Sequence, residues 1–290
     1  MKKIIALVLS LAMLCFCGCS VSMDKKTETT TNKGTIVDEK NKNNDESNVS
    51  NTAPDAKGMG LDLSKYNTES ITWGPGNIKD HARPIDPEKL QKKFGELGAK
   101  WLLQDEKSIC LTFDEGYENG YTGQILDTLK EKNVKAIFFC TYDYIKDNPD
   151  LVKRMISEGH IVGNHSYKHK NMTKIDVESA RDEVTMLHDY VAQMFGYEMN
   201  YFRFPEGAFS EQNLALINDL GYECIFWSFA YADWDRNSPP DKDAAFKRIT
   251  SSTHDGAIFL LHAVCETNAE ILGDVIDNVQ EQGYTFTTEI

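Results

Sequence analysis

Two adjacent carboxylates, Asp114 and Glu115, stand in the stretch 111–120, the most informative part of the sequence. The apolar run 108–113 predicts a buried strand, which Gly116 ends in a loop. We therefore expect the pair at the carboxyl end of a strand, where alternating βα folds keep ligands and catalytic groups. Two neighbouring carboxylates repel each other, so a metal ion, an arginine or solvent must compensate their charge. Taken alone, such a pair is more often a solvated turn.

A histidine pair offers nitrogen atoms that can ligate a metal. His165 and His169 are four residues apart and follow an apolar run that ends at Gly163. If the chain turns helically after this run, both imidazoles lie on one face, which is the arrangement in which two histidines bind one metal ion. A solvated pair beside Lys168 and Lys170 is the equally open alternative. If that turn forms, the spacing gives two candidate ligands.

Three further polar residues, Arg203, Asp233 and His262, stand where apolar runs meet loops. A guanidinium at such a place could orient a carboxylate through a bidentate contact, although a surface arginine is the commoner case. Asp233 precedes Trp234 in a segment rich in aromatic residues, which stack on sugar rings or simply pack. His262 could act as a general acid, although a lone histidine after an apolar run is usually a core residue. Each signal is weak alone, but all of them fall at strand ends.

The elements that must position these residues alternate between strands and helices. Apolar runs predict strands at 108–113, 135–141, 160–163, 201–204, 224–228, 257–262 and 284–287. Amphipathic stretches predict helices at 87–97, 121–132, 149–158, 176–195, 211–220, 243–251 and 268–281. Gly159, Gly221 and Gly283 each stand between a predicted helix and a strand, as a helix-ending glycine with positive φ does. Repeated βα units predict a parallel sheet or an α/β barrel.

Charge and cysteine content exclude two classes of site. The 290 residues carry a formal net charge of −14, which argues against binding to duplex nucleic acid. Beyond the N-terminal leader the cysteines are Cys110, Cys140, Cys224 and Cys265. They form no CxxC pair, so a zinc–thiolate site is not expected. The first three lie in apolar runs and are predicted to be buried thiols, while a disulfide in an exported protein stays open.

The leader, residues 1–19, predicts export. Two lysines precede the apolar run 4–16, which is too short to span a membrane and is typical of a signal peptide. The residues around Cys19 resemble the cleavage box of bacterial lipoproteins, in which the cysteine is lipidated. Phe16 stands where leucine is usual in that box, so plain secretory cleavage and an uncleaved anchor also stay open.

Three segments follow the leader. Residues 20–57 are rich in Lys, Thr, Asn and Ser and nearly lack large apolar side chains, which predicts a disordered tether. Residues 58–104 contain a turn and one helical pattern without a catalytic motif, and we expect them to pack on the main domain as an N-terminal extension. Residues 105–290 hold the βα alternation and are predicted to form the catalytic domain.

Five motifs occur in one order along the chain: Thr-Phe-Asp at 112–114, His-Ser-x-x-His at 165–169, Arg-x-Pro-x-Gly at 203–207, Asp-Trp at 233–234 and Leu-x-His at 260–262. This set resembles the motifs of the polysaccharide deacetylases (NodB homology domain, carbohydrate esterase family 4), and the resemblance spans residues 107–290. The stretch 112–122 resembles the delta-lactam-forming de-N-acetylases, the PdaA-like branch, as does the upstream stretch 71–74. The resemblance implies a distorted (β/α) barrel of the NodB type with a short N-terminal extension.

The resemblance also implies acid–base roles. Asp114 resembles the general base that takes a proton from the attacking water, and Arg203 resembles the residue that positions this base. His262 resembles the general acid that protonates the leaving amine, and Asp233 resembles the partner that orients His262. No Gly-x-Ser-x-Gly motif occurs, so a serine hydrolase is unsupported.

The metal ligands are implied in the same way. His165 and His169 resemble the ligands of a divalent metal ion, for which Zn²⁺ is the expected identity. Most family members place a second, metal-binding aspartate after the base, whereas this chain has Glu115, as in the PdaA-like branch. Glu115 is expected either to ligate from a shifted position, to ligate weakly or not to ligate. Glu206, inside motif three, is expected to add negative charge to the groove wall and to affect glycan selection.

The predicted function is that of a hydrolase acting on non-peptide carbon–nitrogen amide bonds. It would remove acetate from N-acetylmuramic acid of peptidoglycan, in strands without stem peptide, and lead to muramic δ-lactam in the spore cortex. The alternatives are a deacetylase of N-acetylglucosamine or chitooligosaccharides and a catalytically inactive glycan-binding wall protein. Expected partners are the glycan strand and the membrane, through the leader or a lipid anchor. We expect a monomer on the outer face of the membrane, in the cell wall or in the cortex space, without nucleic acid.

Overall fold

Short strands alternate with helices in the computed structural model, which describes residues 60–76, 78, 81–105 and 107–290. The strands are β1 (Ile71–Thr72), β2 (Ala99–Lys100), β3 (Ser108–Glu115), β4 (Ile137–Cys140), β5 (Ile161–Asn164), β6 (Tyr201–Phe202), β7 (Ala208–Phe209), β8 (Glu223–Ile225), β9 (Ala257–Leu261) and β10 (Thr285–Phe286). The helices are α1 (Ile85–Phe94), α2 (Thr122–Glu131), α3 (Tyr142–Asp147), α4 (Pro149–Ser157), α5 (Val177–Phe195), α6 (Glu211–Asp219), α7 (Lys242–Thr250) and α8 (Glu266–Glu281). The predicted leader (1–19, with Cys19) and tether (20–57) lie outside the described residues.

The predicted alternation of strands and helices is confirmed. Each predicted strand and helix has a counterpart, with ends that differ by a few residues. The short strands β1, β2 and β7 and the helix α3 were not predicted, because segments of two to six residues carry too few residues to show a hydrophobic period. The glycines expected after three helices do adopt positive φ, with 81° at Gly159, 82° at Gly221 and 88° at Gly283.

A parallel sheet curls around β3. The strand order is β10-β3-β4-β5-β6-β8-β2, and β9 pairs with β3 on its other side. Beyond the named strands, an antiparallel bridge joins Leu102 to Ala257 and a parallel bridge joins Phe229 to Phe259. These bridges bring the far edge of the sheet to β9, so the sheet forms a distorted (β/α) barrel. This confirms the fold that the family resemblance implied.

The central strand β3 is buried along its whole length. All eight of its residues are buried, as expected for a parallel strand that is covered on both faces. In its register Phe113 lies beside Phe138 of β4 and Leu261 of β9, and the rings of Phe113 and Phe138 stack with centroids 5.1 Å apart. Because parallel strands all point the same way, the residues at their carboxyl ends meet at one end of the barrel.

The segment before the barrel contacts the loop that follows β6. Strand β1 pairs antiparallel with β7, and the main-chain N of Trp73 donates to the carbonyl of Gly207 at 2.9 Å. The indole Nε1 of Trp73 donates to the carbonyl of Trp227 at 2.9 Å. Gly207 has a φ of 62°, and a Cβ there would lie 2.9 Å from the carbonyl oxygen of Trp73. Glycine is therefore required where the two segments meet.

The cysteines of the barrel behave as small hydrophobic residues. Cys110, Cys140, Cys224 and Cys265 are buried free thiols, so no disulfide joins them. Burial raises the pKa of Cys110 to about 12, which keeps this thiol protonated. The prediction of buried thiols is confirmed. Within the part of the chain that the structure describes, no helix has the length and apolar character needed to cross a membrane.

Candidate active site

A cavity of about 850 Å³ opens at the carboxyl ends of the barrel strands. It is lined by Gly74, Pro75, Asp114, Gly116, Tyr117, His165, His169, Glu206, Gly207, Trp227, Ala230, Tyr231, Ala232, Trp234, Leu260, His262 and Val264. Four of the candidates named from the sequence, Asp114, His165, His169 and His262, thus meet in one cavity. Two others, Arg203 and Asp233, lie behind them and contact them, as described below.

Asp114 is paired with an arginine that is fully buried. Nη1 of Arg203 donates to Oδ1 of Asp114 at 2.8 Å and to Oγ1 of Thr112 at 2.7 Å. The remaining guanidinium donors reach the main-chain carbonyls of Ile225 at 2.9 Å and Phe226 at 3.1 Å. Each side of the guanidinium is thereby fixed, and with it the orientation of the carboxylate.

The charges around Asp114 favour its ionised form. Burial raises the pKa of this carboxyl group, but the charge of Arg203, assisted by His165 and His262, outweighs burial and leaves the pKa lowered. Asp114 is 9% exposed and lines the cavity. An ionised carboxylate that is fixed from behind and open in front can accept a proton from a water molecule.

His165 and His169 come together, but on a loop and not on a helix. Strand β5 ends at Asn164, and both Ser166 and His169 have positive φ, of 67° and 52°. The helical turn on which a shared face would depend is therefore not formed, since right-handed helical residues have negative φ. The two left-handed residues redirect the chain so that the ring centroids still lie 4.9 Å apart, with 75° between the ring planes.

His165 is held as a neutral imidazole with one nitrogen free. Its Nδ1 lies 3.0 Å from the carbonyl of Arg203, which fixes Nδ1–H as the donor. Nε2 then carries the lone pair and lies 3.5 Å from Oδ2 of Asp114. Burial is the largest influence on the pKa of His165 and lowers it to about 4. A neutral imidazole with an exposed lone pair is the form that ligates metal ions.

Glu115 does not line the cavity. Successive side chains of a strand point to opposite faces, so Glu115 faces away from the side on which Asp114 lies. Its side chain is fully buried, near Cys140 and Tyr144, and neither carboxylate oxygen has a hydrogen-bond partner among the described residues. Burial, together with the charges of Glu118 and Asp114, raises the pKa of Glu115 well above its usual value. This geometry does not bring Glu115 to the histidine pair.

The donor set beside Asp114 suits a divalent metal ion. The two imidazoles lie beside each other, and Oδ2 of Asp114 lies 3.5 Å from Nε2 of His165. Such nitrogen and oxygen donors are those that zinc takes in catalytic sites. Over the described ranges, no three His, Cys, Asp or Glu side chains are already grouped as a complete ligand set. His165 and His169 are the residues that fit the expected ion, and Glu115 in its present position does not.

Asp233 holds His262, another candidate residue that lines the cavity. Nδ1 of His262 lies 2.7 Å from Oδ1 of Asp233, and the main-chain N of His262 donates to Oδ2 at 2.9 Å. Asn268 donates to Oδ2 of Asp233 at 2.6 Å and to the carbonyl of His262 at 3.1 Å. Burial lowers the pKa of His262, but the charge and hydrogen bond of Asp233, with the charge of Asp114, outweigh burial and raise it. A protonated His262 can donate a proton to a leaving group.

Sequence reasoning missed several residues of this site. Thr112 fixes Arg203, and Asn268 fixes both Asp233 and His262, but Asn268 stands in the first turns of α8 without a motif to mark it. Two exposed rings also line the cavity: Trp234, from the aromatic segment noted in the sequence, is 59% exposed, and Tyr117 is 41% exposed. Exposed aromatic side chains at a cavity are suited to contact with the apolar faces of a sugar ring.

Glu206 adds a negative charge to the cavity wall. This exposed residue has a φ of 59°, and its Oε2 accepts a hydrogen bond from Nδ2 of Asn171 at 2.9 Å. No lysine or arginine is among the described residues that line the cavity. Nearby, the guanidinium of Arg236 lies 5.4 Å from the ring centroid of Tyr117. Among the described residues that line the cavity, Glu206 is thus an acidic side chain with no lysine or arginine beside it in the lining.

Comparison with known proteins identifies the family. A family model described as polysaccharide deacetylase matches residues 103–225, which include the first three motifs. The peptidoglycan-N-acetylmuramic acid deacetylase PdaA of Bacillus subtilis is 42% identical over 220 residues, 75% of this chain and 84% of PdaA. The peptidoglycan-N-acetylglucosamine deacetylase PgdA of Listeria monocytogenes is 36% identical over 183 residues, 63% of this chain and 38% of PgdA.

A solved structure agrees with the sequence comparison. The structure of Bacillus subtilis PdaA, described as a family 4 carbohydrate esterase, superposes with a TM-score of 0.73 at 41% identity and covers 76% of this chain and 95% of that chain. The similarity therefore extends over nearly the whole of a solved relative. With its fold and its five motifs, this chain belongs to the polysaccharide deacetylases, family 4 of the carbohydrate esterases.

Proposed function

We propose that this protein is a metal-dependent hydrolase that removes the acetyl group from N-acetylmuramic acid of peptidoglycan. The observation that carries the reaction is the placement in one cavity of Asp114, whose pKa is lowered, and His262, whose pKa is raised. Groups whose pKa values are pushed apart in this way can serve as base and acid of one reaction. The similarity to PdaA over 84% of its length supports muramic acid as the sugar.

Asp114 is the proposed general base. It accepts a proton from the water that attacks the carbonyl carbon of the acetamide, while Arg203 holds Oδ1 and leaves the other oxygen toward the cavity. Arg203 also stabilises the ionised form that a base needs before it takes the proton. Its own contacts with Thr112 and two main-chain carbonyls keep it in place during the reaction.

His262 is the proposed general acid. As the carbon–nitrogen bond of the acetamide breaks, His262 gives its Nε2 proton to the nitrogen, and the products are acetate and the free amine of the sugar. Asp233 binds Nδ1–H, which directs Nε2 toward the cavity and stabilises the imidazolium form. Asp114 gains one proton in the reaction and His262 loses one. Exchange with water then returns both groups to their starting forms.

The proposed metal ion is divalent, with Zn²⁺ as the expected identity. His165 and His169 would hold it, and Oδ2 of Asp114 lies beside them. When bound, such an ion polarises the acetyl carbonyl and makes the attacking water more acidic. The chain's own contribution is to keep His165 neutral and oriented through the carbonyl of Arg203.

The wider setting is also part of the proposal. A muramic acid without stem peptide carries a free lactyl carboxyl group, on which the freed amine can close with loss of water to a δ-lactam. The resemblance to the delta-lactam-forming branch supports the spore cortex as the place of action. A wall substrate agrees with the export that residues 1–19 predict, and lipidation of Cys19 would hold the enzyme at the membrane.

A second candidate substrate is N-acetylglucosamine. Glu206 stands in the cavity wall, and none of the described lining residues is a lysine or arginine that could pair with a lactyl carboxylate. A neutral sugar meets no repulsion there, and PgdA of Listeria monocytogenes, named for N-acetylglucosamine, is 36% identical to this chain. The chemistry proposed for Asp114 and His262 would be the same on either sugar.

The test compares the two sugars on one enzyme. Purified protein is incubated with muramyl glycan free of stem peptide and with oligomers of N-acetylglucosamine, and loss of acetyl groups is followed by mass spectrometry. Parallel reactions contain a chelator, the chelator followed by excess zinc, or the variant Asp114→Asn. We expect release from muramic acid that depends on zinc and on Asp114.

The outcomes separate the candidates. Release from glucosamine oligomers alone would overturn the muramic acid assignment and leave the reaction unchanged. Acetate release that persists in the presence of the chelator would contradict the proposed dependence on a metal ion. Absence of release from both substrates, in folded protein supplied with zinc, would favour an inactive glycan-binding protein.

A further inference from the structure

The loop that carries the two histidines is strained and needs external support. Ser166 and His169 both adopt left-handed conformations, at φ of 67° and 52°. Such a conformation costs a residue other than glycine roughly 1–2 kcal/mol. It persists only when surrounding contacts favour it. Other residues must therefore hold this loop in its left-handed conformations.

The two imidazoles are held in different ways. His165 is buried, and its Nδ1 is fixed by the carbonyl of Arg203. His169 is exposed, and in the described part of the chain its side chain makes no hydrogen bond. The place of the second imidazole thus depends on the main chain that carries it, residues 166–170.

Glu183 of α5 contacts this segment at three points, two on its main chain and one on a lysine side chain. Its carbonyl accepts a hydrogen bond from the N of Tyr167 at 2.8 Å, and its Oε2 accepts one from the N of Lys168 at 2.6 Å. Its Oε1 pairs with Nζ of Lys170 at 3.0 Å. The carboxylate therefore binds the residue before His169 and the residue after it.

Glu183 is buried, so its carboxylate depends on these contacts. The residue is 3% exposed, and a buried carboxylate costs free energy unless it is paired and hydrogen-bonded. Both oxygens here are used on the histidine loop, one by a main-chain N–H and one by an ammonium group. The neighbouring Val184 adds a carbonyl that accepts from Nδ2 of Asn164, at the start of the same loop. Helix α5 thus serves as the support of the loop.

We propose that Glu183 is a positioning residue for the metal pair, which fixes His169 at the distance from His165 that one ion requires. The inference rests on the metal in the proposed function and adds a residue that touches neither metal nor substrate. Partners of this kind, one step removed from the ligands, typically change metal affinity by 10–100-fold when they are replaced.

The test measures zinc affinity directly, by competition with a chromophoric chelator, in the wild type and in Glu183→Ala and Glu183→Gln. We expect zinc affinity to fall about 10–100-fold in Glu183→Ala. Glu183→Gln keeps one acceptor for the N of Lys168 and loses the ion pair, so its affinity is expected to fall less. Glu178→Ala is the matched control, because Glu178 stands on the same helix with an 83% exposed side chain, and its affinity should equal that of the wild type.

A second readout needs no metal. Trypsin cleaves after lysine, and Lys168 and Lys170 flank His169. If Glu183 holds the loop, native metal-free Glu183→Ala is cleaved at these two sites faster than the wild type, while cleavage elsewhere is unchanged. Thermal unfolding tests whether each variant is folded. If Glu183→Ala is unfolded, the zinc affinity and the cleavage rate of Glu183→Gln test the positioning role.

The outcomes distinguish this inference from the proposed function. Equal zinc affinity and equal cleavage in wild type and in folded Glu183 variants would overturn the role of Glu183. If the wild-type protein binds no zinc, that result would instead contradict the metal ion assigned in the proposed function. Lower zinc affinity together with faster cleavage at Lys168 and Lys170 would support the positioning role.

Discussion

The Nδ1 of His262 lies 2.7 Å from Oδ1 of Asp233, while the other oxygen of the same carboxylate accepts a hydrogen bond from the main-chain N of His262 at 2.9 Å. Asp233 therefore holds both the ring and the backbone of the proposed acid. It is 2% exposed and has Asn268 as a further donor. A single carboxylate thus sets the direction, the tautomer and the charge of His262.

Replacement of Asp233 by asparagine should lower activity and shift its pH dependence. Asp233 raises the pKa of His262 against the effect of burial, so the variant should hold less of the protonated acid at neutral pH. We expect the alkaline limb of the rate profile to move to lower pH and the rate constant to fall roughly 100-fold or more. The measurement is acetate release as a function of pH.

The matched control for this change is Asp235→Asn. Asp235 is exposed and accepts a hydrogen bond from the main-chain N of Asn237 at 2.9 Å, without contact to His262. Its pH profile should match that of the wild type. An alkaline limb in Asp233→Asn that does not move would contradict the assignment of His262 as the acid.

His160 should make the protein less stable in acid. Its Nδ1 accepts a hydrogen bond from the main-chain N of Ala136 at 3.2 Å, and burial, followed by the charge of Lys135, lowers its pKa from 6.5 to about 4. Between pH 6.5 and about 4, His160 is protonated in the unfolded chain and neutral in the folded chain. The stabilisation is therefore complete above pH 6.5 and is lost as pH falls toward 4.

The variant His160→Gln tests this prediction, since its amide oxygen can accept the same hydrogen bond and does not titrate. The free energy of unfolding, from denaturant titrations at neutral pH and near pH 4, should decrease less in the variant, by up to about 3 kcal/mol. An equal decrease in both proteins would show that other groups cause the acid sensitivity.

Arg203→Lys should reduce both stability and activity. Lysine keeps the charge but cannot reach the four acceptors that the buried guanidinium serves, which include Oδ1 of Asp114. Each buried acceptor left unpaired costs about 1–3 kcal/mol. Because the proposed base would be misplaced, we expect acetate release to slow about 100-fold.

Arg154→Lys is the matched surface control. Arg154 pairs with Asp127 and Glu158, and its side chain is 29% exposed. Pairs at the surface contribute at most about 1 kcal/mol, so this variant should unfold close to the wild type and keep full activity. A similar loss in both variants would contradict a special role for the buried guanidinium.

Glu206→Gln should change the preference for charged sugars. We expect the carboxylate of Glu206 to repel a lactyl carboxylate, because none of the described residues that line the cavity is a lysine or arginine, while the amide keeps the contact with Asn171. We expect kcat/KM to rise several-fold on muramic acid at low salt and to change little on glucosamine oligomers. Salt should reduce the difference between variant and wild type. A parallel change on both sugars would show that Glu206 acts on the shape of the loop.

Glu115→Gln should bind zinc as the wild type does. Glu115 faces away from the histidine pair, so its replacement by a side chain of the same shape leaves the proposed ligands intact. His169→Ala is the comparison variant and should lose most of the affinity. A tenfold or larger loss in Glu115→Gln would show that this carboxylate swings to the metal when the ion binds.

The sequence alone determined the order of the longer strands and helices and the end of the barrel where the candidate residues lie. Hydrophobic period and helix-ending glycines are local properties, and parallel strands collect the residues that follow them. Asp114, His165 and His262 could therefore be expected at strand ends, and the structure brings them into one cavity.

Only the tertiary structure decided how these side chains are held. The alternation of side chains along β3 turns Glu115 away from Asp114, although the two are adjacent in sequence. The left-handed turn at His169 depends on Glu183, fourteen positions away, and the charge of His262 depends on Asp233. These relationships arise from contacts between distant segments of the chain, which a local pattern of residues cannot predict.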